Sequence, residues 1–322
     1  MPTAMYAGVE MGGTKCVCIL GTDPDDIRAH EVLPTGEPAT TLAAIAQVLE
    51  RWQATLGSFA AIGIASFGPL ELHRESRTYG RIGTTPKALW TGTDLVGFFA
   101  ERFARPVGFT TDVIGAALAE GRWGAARGLS DYAYITVGTG VGVGIVLGGR
   151  PVLGRHHPEL GHVRVVRMAG DDWPGSCRFH GACVEGLASG PAIEARSGGS
   201  GVNLPHDSPI WDTVAHALGQ LAHILVVSVA PQRILIGGGV ISAQAHLFAR
   251  IRSCLATSLN GYLDSPELSS GLAQYIGPPG LGTRAGPLGA LAVALDIDAD
   301  RAVRQRTEQF AVRKSPAPLD RP

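Results

Sequence analysis

The hydrophobic and polar positions divide the chain into short strands and amphipathic helices. Residues 6–10 are an apolar run, Gly12-Gly13-Thr14 interrupts it, and residues 15–20 resume with β-favouring side chains. This predicts two strands joined by a glycine turn. From 39 to 56 the period changes, with Leu42, Ile45, Val48, Leu49 and Trp52 at helical spacing. Residues 60–65 predict a buried strand that runs into Ser66-Phe67-Gly68-Pro69. Residues 71–91 are polar and irregular, and a loop of that length in a compact chain is usually functional. A helix over 94–103 and a strand over 107–110 follow. Asp112 stands where that strand ends and an alanine-rich helix over 113–123 begins.

The opening layout then recurs. Residues 132–137 predict a strand, Gly138-Thr139-Gly140-Val141-Gly142 a turn, and 143–147 a second strand, roughly 130 residues after the first such hairpin. The recurrence suggests two similar halves facing one ligand. A helix over 211–230 turns Val214, Leu218, Leu221 and Leu225 to a core. His216 and His223 share its other face and are expected to be solvated or hydrogen bonded, not ligands. Residues 232–236 predict a strand ending in Gly237-Gly238-Gly239, followed by helices over 243–259 and 286–295. Residues 313–322 carry three prolines and little apolar content, and are expected to be disordered.

At 322 residues, 45% of them hydrophobic, the chain suits two domains with substantial cores. A net charge of -1 and the lack of a Lys/Arg run give no footprint for nucleic acid. No apolar run reaches the roughly 18 residues of a membrane helix, and the few residues before 6 are too short for a signal peptide. Both point to a cytoplasmic protein. Cys16 and Cys18 fall on one predicted strand and are expected to point to opposite faces, unbridged. The thiols read as reduced, not as a disulfide framework.

Three sets of residues carry candidate chemistry. Cys177, His180 and Cys183 repeat at a spacing of three, and His162 lies fifteen residues upstream. Cys2His2 is a donor set that suits tetrahedral Zn2+. Glu159 and Glu185 sit on the two arms that such a metal would join, so both carboxylates would be fixed along one wall of a pocket. The two strand–Gly/Thr–strand turns expose backbone N–H groups with no Cβ in the way, which suits phosphate and equally an ordinary hairpin. Asp112 is either a helix N-cap or a catalytic carboxylate at the carboxyl end of a strand. The chain holds no G-x-G-x-x-G opening a helix and no G-x-x-x-x-G-K-[ST]. Together these features fit phosphoryl transfer from ATP to a polyol.

The motifs resemble, in order, those of the ROK sugar kinases. They are Glu10-Met11-Gly12-Gly13-Thr14-Lys15, Gly138-Thr139-Gly140-Val141-Gly142, Glu159-Leu160-Gly161-His162, the Cys/His cluster, and Leu235-Ile236-Gly237-Gly238-Gly239. Ser66-Phe67-Gly68-Pro69, Thr78-Tyr79-Gly80, Thr85-Pro86-Lys87 and the presence of His180 in the cluster are similar to the bacterial fructokinase branch.

The resemblance implies an α/β actin-like ATPase (ribonuclease H-like) fold of two similar domains with a cleft between them. The smaller domain would span 1–112, with the C-terminal helix packed back on it, and the larger would span 113–312 and carry the zinc loop. It implies an ATP-dependent fructokinase with Mg2+ and structural Zn2+, acting as a homodimer, with no nucleic-acid or membrane partner. Kinases of mannose, glucose or an N-acetylated hexosamine, and a non-catalytic sugar sensor, are the alternatives. DNA-binding relatives carry a helix-turn-helix ahead of the first strand, and the five residues before Tyr6 leave none expected.

Asp112 would be the base. Gly12, Gly13, Thr14 and Lys15 would form one phosphate loop, and Gly138, Thr139 and Gly140 the other. Glu10 would hold Mg2+ through water, and Gly237, Gly238 and Gly239 would face the adenosine. Glu159, His162, Glu185, Asp112 and Gly68 would meet the sugar. His162, Cys177, His180 and Cys183 would bind zinc. One departure stands out: Ile114 occupies the position where the family has Asn in Asp-x-Asn, which removes a hydrogen-bond partner beside the sugar or the base.

Overall fold

A computed structural model describes residues 4–85, 87–199, 201–263 and 265–314. The first half contains β1 (Met5–Met11), β2 (Lys15–Gly21), β3 (Ile27–Pro34), α1 (Pro38–Leu56), β4 (Phe59–Ser66), α2 (Leu95–Phe103), β5 (Val107–Thr111) and α3 (Asp112–Trp123). The second contains β6 (Tyr132–Val137), β7 (Val141–Leu147), β8 (Arg150–Pro151), α4 (Val184–Ala188), α5 (Gly190–Ser197), α6 (Pro209–Val229), β9 (Arg233–Gly237), α7 (Gly239–Ser242), α8 (Leu247–Leu259), α9 (Leu272–Tyr275) and β10 (Ile276–Gly277). Helix α10 (Ala285–Lys314) closes the chain.

The two sheets have one topology. Their orders are β3-β2-β1-β4-β5 and β10-β9-β6-β7-β8. In each, three strands form an antiparallel meander, and the meander's first strand also pairs in parallel with a strand that pairs in parallel with the next. Helices α3 and α10 lie between the sheets. Val17 and Ile19 of the first sheet and Tyr132, Tyr134, Val146 and Leu235 of the second share one core with Val113, Ala116, Leu288 and Leu291. The outer face of the first sheet packs on α1 and α2 through Leu42, Ile45, Leu49, Leu95 and Phe99. Each such buried side chain is worth about 1.5–3 kcal/mol. Helix α1 begins with Pro38 at its first position and stops at Gly57, whose φ of 99° L residues avoid.

The seat of α10 on the first sheet depends on glycine. Gly8, Gly63 and Gly108 are register partners on adjacent strands, so they form a row across the sheet. A Cβ at Gly8 would stand 2.8 Å from the Leu291 nitrogen, one at Gly108 2.7 Å from the Val293 carbonyl oxygen, and one at Gly63 would strike the Ala290 carbonyl. Gly115 of α3 and Gly289 of α10 meet backbone to backbone in the same way. Glu120 of α3 is fully buried and accepts three backbone N–H bonds, from Ala125 at 2.7 Å, Gly280 at 2.9 Å and Leu281 at 2.8 Å. It ties the segment that leads into α10 to the end of α3. Glu120→Ala is expected to lower stability by at least about 3 kcal/mol, because three buried donors lose their partner. Urea melts measure this, and an unchanged midpoint would refute it.

Several sequence expectations need correction. Strand β3 was not anticipated. Cys16 and Cys18 share a face, because residues two apart on a strand do so, and both remain free thiols. The helix expected over 243–259 begins only at Leu247, and a separate short helix, α7, precedes it and ends at Ser242. The helix expected over 286–295 runs from Ala285 to Lys314. Arg313 and Lys314, placed in a disordered tail, therefore belong to a helix, and 315–322 lie outside the described residues. Among the described residues α6 is long and apolar enough to cross a membrane, although no apolar run of that kind was expected. It is mostly buried within the fold against the second sheet and α8. His216 and His223 hydrogen bond to the Val166 carbonyl at 2.8 Å and to Ser258 Oγ at 3.0 Å.

Candidate active site

The carboxyl ends of β1 and β5 bring Glu10 and Asp112 to one rim. Thr111, not Asp112, caps α3: its Oγ1 accepts from the Ile114 N–H at 3.1 Å. Asp112 is the first helical residue, and its Oδ1 accepts from the Val113 N–H at 2.8 Å. Burial pushes its carboxyl up to about 6, against the pull of that backbone bond. Burial pushes Glu10 to about 7; the Asp112 charge adds to this and Lys15 opposes it. Gly286, at the start of α10, lies directly against the Glu10 carboxylate.

On the second lobe, Glu159 precedes a single 3-10 turn, Leu160–His162. Burial raises it to about 7, and the charges of Asp112 and Glu185 add to this. Its side chain is still 47% exposed, so the carboxylate is crowded by charge yet open to a ligand. Glu185, in the first turn of α4, accepts from the Val141 N–H at 3.2 Å. Four carboxylates therefore form a line of electrostatic neighbours, Glu10, Asp112, Glu159 and Glu185, with Glu10 just before the first glycine turn and Glu185 against the second.

The turns at the two ends are built alike. Gly12 N–H donates to the Lys15 carbonyl at 2.9 Å, and Gly138 N–H to the Gly140 carbonyl at 2.9 Å. Thr14 and Thr139 are exposed at the tips. Lys87 reaches the first turn, its Cε 3.4 Å from where a Gly13 Cβ would be. Gly237-Gly238-Gly239 ends β9 beside β6, and Gly238, at φ 93°, packs on the Val137 backbone where no side chain fits.

His162, Cys177, His180 and Cys183 converge. Their donor atoms all lie within 4.8 Å of one another. Cys177 Sγ stands 3.7 Å from Nδ1 of both His162 and His180, and Cys183 Sγ 3.7 Å from His162 Nδ1. A tetrahedral zinc with Zn–S of about 2.3 Å and Zn–N of about 2.0–2.1 Å has N···S edges of about 3.5 Å, so the donor set fits that ion. His162 Nδ1 also stands 3.9 Å from Glu185 Oε1, which places the cluster behind the end of the carboxylate line.

Ile114 does not open onto the cleft. It is 2% exposed, so its side chain leaves no gap in the surface that a ligand would meet. Gly68 faces His157, a buried histidine that no motif singles out beyond its place in a histidine-rich stretch. Lys87 and Gly286 were likewise missed as neighbours of Gly13 and Glu10. A cavity of about 620 Å³ lined by Glu71, His73, Arg74, Glu75, Ser76, Arg155 and His156 lies nearby in sequence but holds none of the four carboxylates.

Two lobes of one topology, each opening with a Gly/Thr turn, and a carboxylate line between those turns define a protein of the actin-like ATPase fold. The chain belongs to the ROK family, whose profile matches residues 6–297. It is 40% identical over 296 residues to a fructokinase of Zymomonas mobilis, covering 90% of this chain and 96% of that one. It is 38% identical over 290 residues to a fructokinase of Pediococcus pentosaceus, covering 90% and 97%. Among solved structures it resembles the ROK hexokinase of Thermus thermophilus, with a TM-score of 0.72 and 27% identity over 92% of this chain and 99% of that one.

Proposed function

We propose that the protein is an ATP-dependent fructokinase that transfers the γ-phosphoryl group of ATP to the 6-hydroxyl of D-fructose. The observation that carries this reading is Asp112, a carboxylate poised near neutrality where the two lobes meet, beside a second carboxylate open to ligand. Asp112 takes the proton of the sugar hydroxyl as the oxygen–phosphorus bond forms and the bond to the ADP oxygen breaks. The N-terminus of α3 favours its ionised form. Glu159 and Glu185 accept hydrogen bonds from the remaining sugar hydroxyls, beside Gly68 and His162. The turns at Gly12–Lys15 and Gly138–Gly140 hold the phosphates with backbone amides, and Gly237–Gly239 lies at the adenosine.

Magnesium would supply charge neutralisation at the phosphates. Glu10 suits it, because its carboxylate is repelled by Asp112 and a cation would relieve that repulsion. Zinc would be held by His162, Cys177, His180 and Cys183, bracing α4 and with it Glu185. A homodimer in the cytoplasm, with no membrane or nucleic-acid partner, completes the reading, as do a smaller lobe over 1–112 and a larger one over 113–312. Sedimentation analysis tests the dimer.

A coupled ADP-release assay over fructose, mannose, glucose and N-acetylated hexosamines tests the activity. Fructose is expected to give the highest kcat/KM, and no turnover with any sugar would overturn the reading. The phosphate role of the second turn has its own test. A Cβ at Gly140 would stand 2.6 Å from Glu185 Oε2, so a change there disturbs the proposed sugar side too. A Cβ at Gly138 meets nothing within 4 Å. Gly138→Ala is therefore expected to leave the melting temperature and fructose binding unchanged, while weakening ATP about tenfold by crowding a phosphate contact. Calorimetry with both ligands decides, and unchanged ATP affinity would count against the phosphate role.

A further inference from the structure

One buried imidazole beside the carboxylate line takes no part in the proposed chemistry. His157 follows β8, and its side chain is 7% exposed. Its Nε2 accepts the Leu70 N–H at 3.0 Å, a buried bond between residues 87 apart in sequence. Gly68 lies against the same ring, where an added Cβ would stand 3.3 Å from Cε1. A ring nitrogen that accepts a hydrogen bond carries no proton, so the neutral ring holds its proton on Nδ1. Nδ1 faces Glu159 Oε1 at 3.5 Å. One side chain thus touches the 68–70 turn of the first lobe with one nitrogen and a carboxylate of the second lobe with the other.

We propose that His157 is a positioning residue for sugar binding, coupling the 68–70 turn to the Glu159 carboxylate so that Glu159 is aimed at the sugar when the lobes are in register. This rests on the reading of Glu159 as a sugar ligand. The physical need is plain. Glu159 stands among Asp112 and Glu185, whose charges disfavour its ionised form and push it away from the line. An Nδ1–H dipole 3.5 Å away opposes both effects: its positive end favours the carboxylate and draws Oε1 toward the ring, which leaves Oε2 for a sugar hydroxyl. The ring's orientation is fixed in turn by a buried backbone donor, which must keep a partner.

Two substitutions separate the two ends of the ring. Glutamine offers an acceptor near Nε2 and nothing at Nδ1, while asparagine offers a donor near Nδ1 and nothing at Nε2. Fructose and ATP affinities are measured by calorimetry, with KM, kcat and melting temperature alongside. His157→Gln is expected to weaken fructose binding about tenfold and raise its KM by removing the Nδ1–H that faces Glu159, and His157→Asn to do the same by releasing the ring from its anchor on the Leu70 N–H. ATP affinity should stay within twofold of wild type, and in a Glu159→Gln background His157→Gln should add less than twofold. A merely structural histidine would lower melting temperature and weaken both ligands together. Glutamine retains the Leu70 bond, so that variant carries the test if the asparagine one does not fold. Wild-type fructose affinity in His157→Gln, equal weakening of ATP, or full additivity with Glu159→Gln overturns the proposal. Wild-type protein that binds fructose without releasing ADP sinks the kinase reading alone, and wild-type protein that binds no sugar of the panel sinks both.

Discussion

Asp112→Asn is expected to reduce turnover at least about a hundredfold while folding and ligand binding hold. A sugar hydroxyl is a weak nucleophile at neutral pH, and asparagine keeps the shape of aspartate without its capacity for a proton. The cap of α3 is not at stake, since Thr111 provides it. Asparagine Oδ1 can also keep the bond from the Val113 N–H. Stability should not fall either. The folded-state pKa of Asp112, about 6, lies above its ordinary value of 3.8, so the native state holds this proton more tightly than the unfolded chain. Its contribution to stability is fully present below the ordinary value and is lost as pH rises through about 6. At neutral pH the neutral asparagine should therefore melt no lower than wild type. The same pKa predicts an acid limb in wild-type kcat/KM, rising with pH through about 6 as the base ionises. Glu10 and Glu159 titrate close by, so the limb belongs to the group of carboxylates and not to one residue. Wild-type turnover in Asp112→Asn would end the base mechanism.

Removing zinc is expected to lower the melting temperature by about 10 °C or more, because structural zinc contributes folding free energy directly. The four proposed ligands lie on segments with little regular structure: a single 3-10 turn, a loop, and the cap of a five-residue helix. Cys183 has a second part, accepting from the Gly186 N–H at 3.4 Å at the start of α4. Its release would loosen α4 and so the Glu185 bond to Val141, which predicts weaker fructose binding before global unfolding. Elemental analysis should find one zinc per chain, and Cys183→Ser should lose it. Cys254→Ser, at a half-buried thiol outside the cluster, should change neither. Purified protein without zinc, or an unchanged melting temperature in Cys183→Ser, would remove zinc from the account.

Much of this site is legible in the sequence because its parts are local. A glycine turn between two β-favouring runs, or a repeat of Cys and His every three residues, announces itself within a dozen positions. The duplicated topology was legible too, since the two hairpins repeat. What escaped depends on partners far along the chain. The last helix continues past 295 through Asp296, Asp298 and Asp300 with no apolar stripe to read. It is held there by polar contacts, Asp296 to Arg122 at 2.7 Å and the Tyr6 hydroxyl to Asp298 at 3.0 Å. Strand β3 alternates between half-buried and exposed at the sheet edge, with Glu31 breaking its apolar series, and pairing to β2 decides it. His157 matters through Leu70, a contact that no local pattern reveals.

The glycine row under α10 has a consequence for anyone who engineers this enzyme scaffold. Exchanging glycine for alanine normally stabilises a protein by about 0.4–1 kcal/mol, by restricting the unfolded chain, wherever the native backbone accepts it. At Gly8, Gly63 and Gly108 the sign reverses. The backbone angles of a strand would accept alanine, but the new methyl meets the main chain of α10, which has no rotamer by which to give way. Lifting that helix would also draw Gly286 away from Glu10 one to two turns earlier, so damage begun on the sheet would reach the start of the helix and the carboxylate proposed to hold magnesium. A thermostabilising library for this chain should leave those three codons fixed.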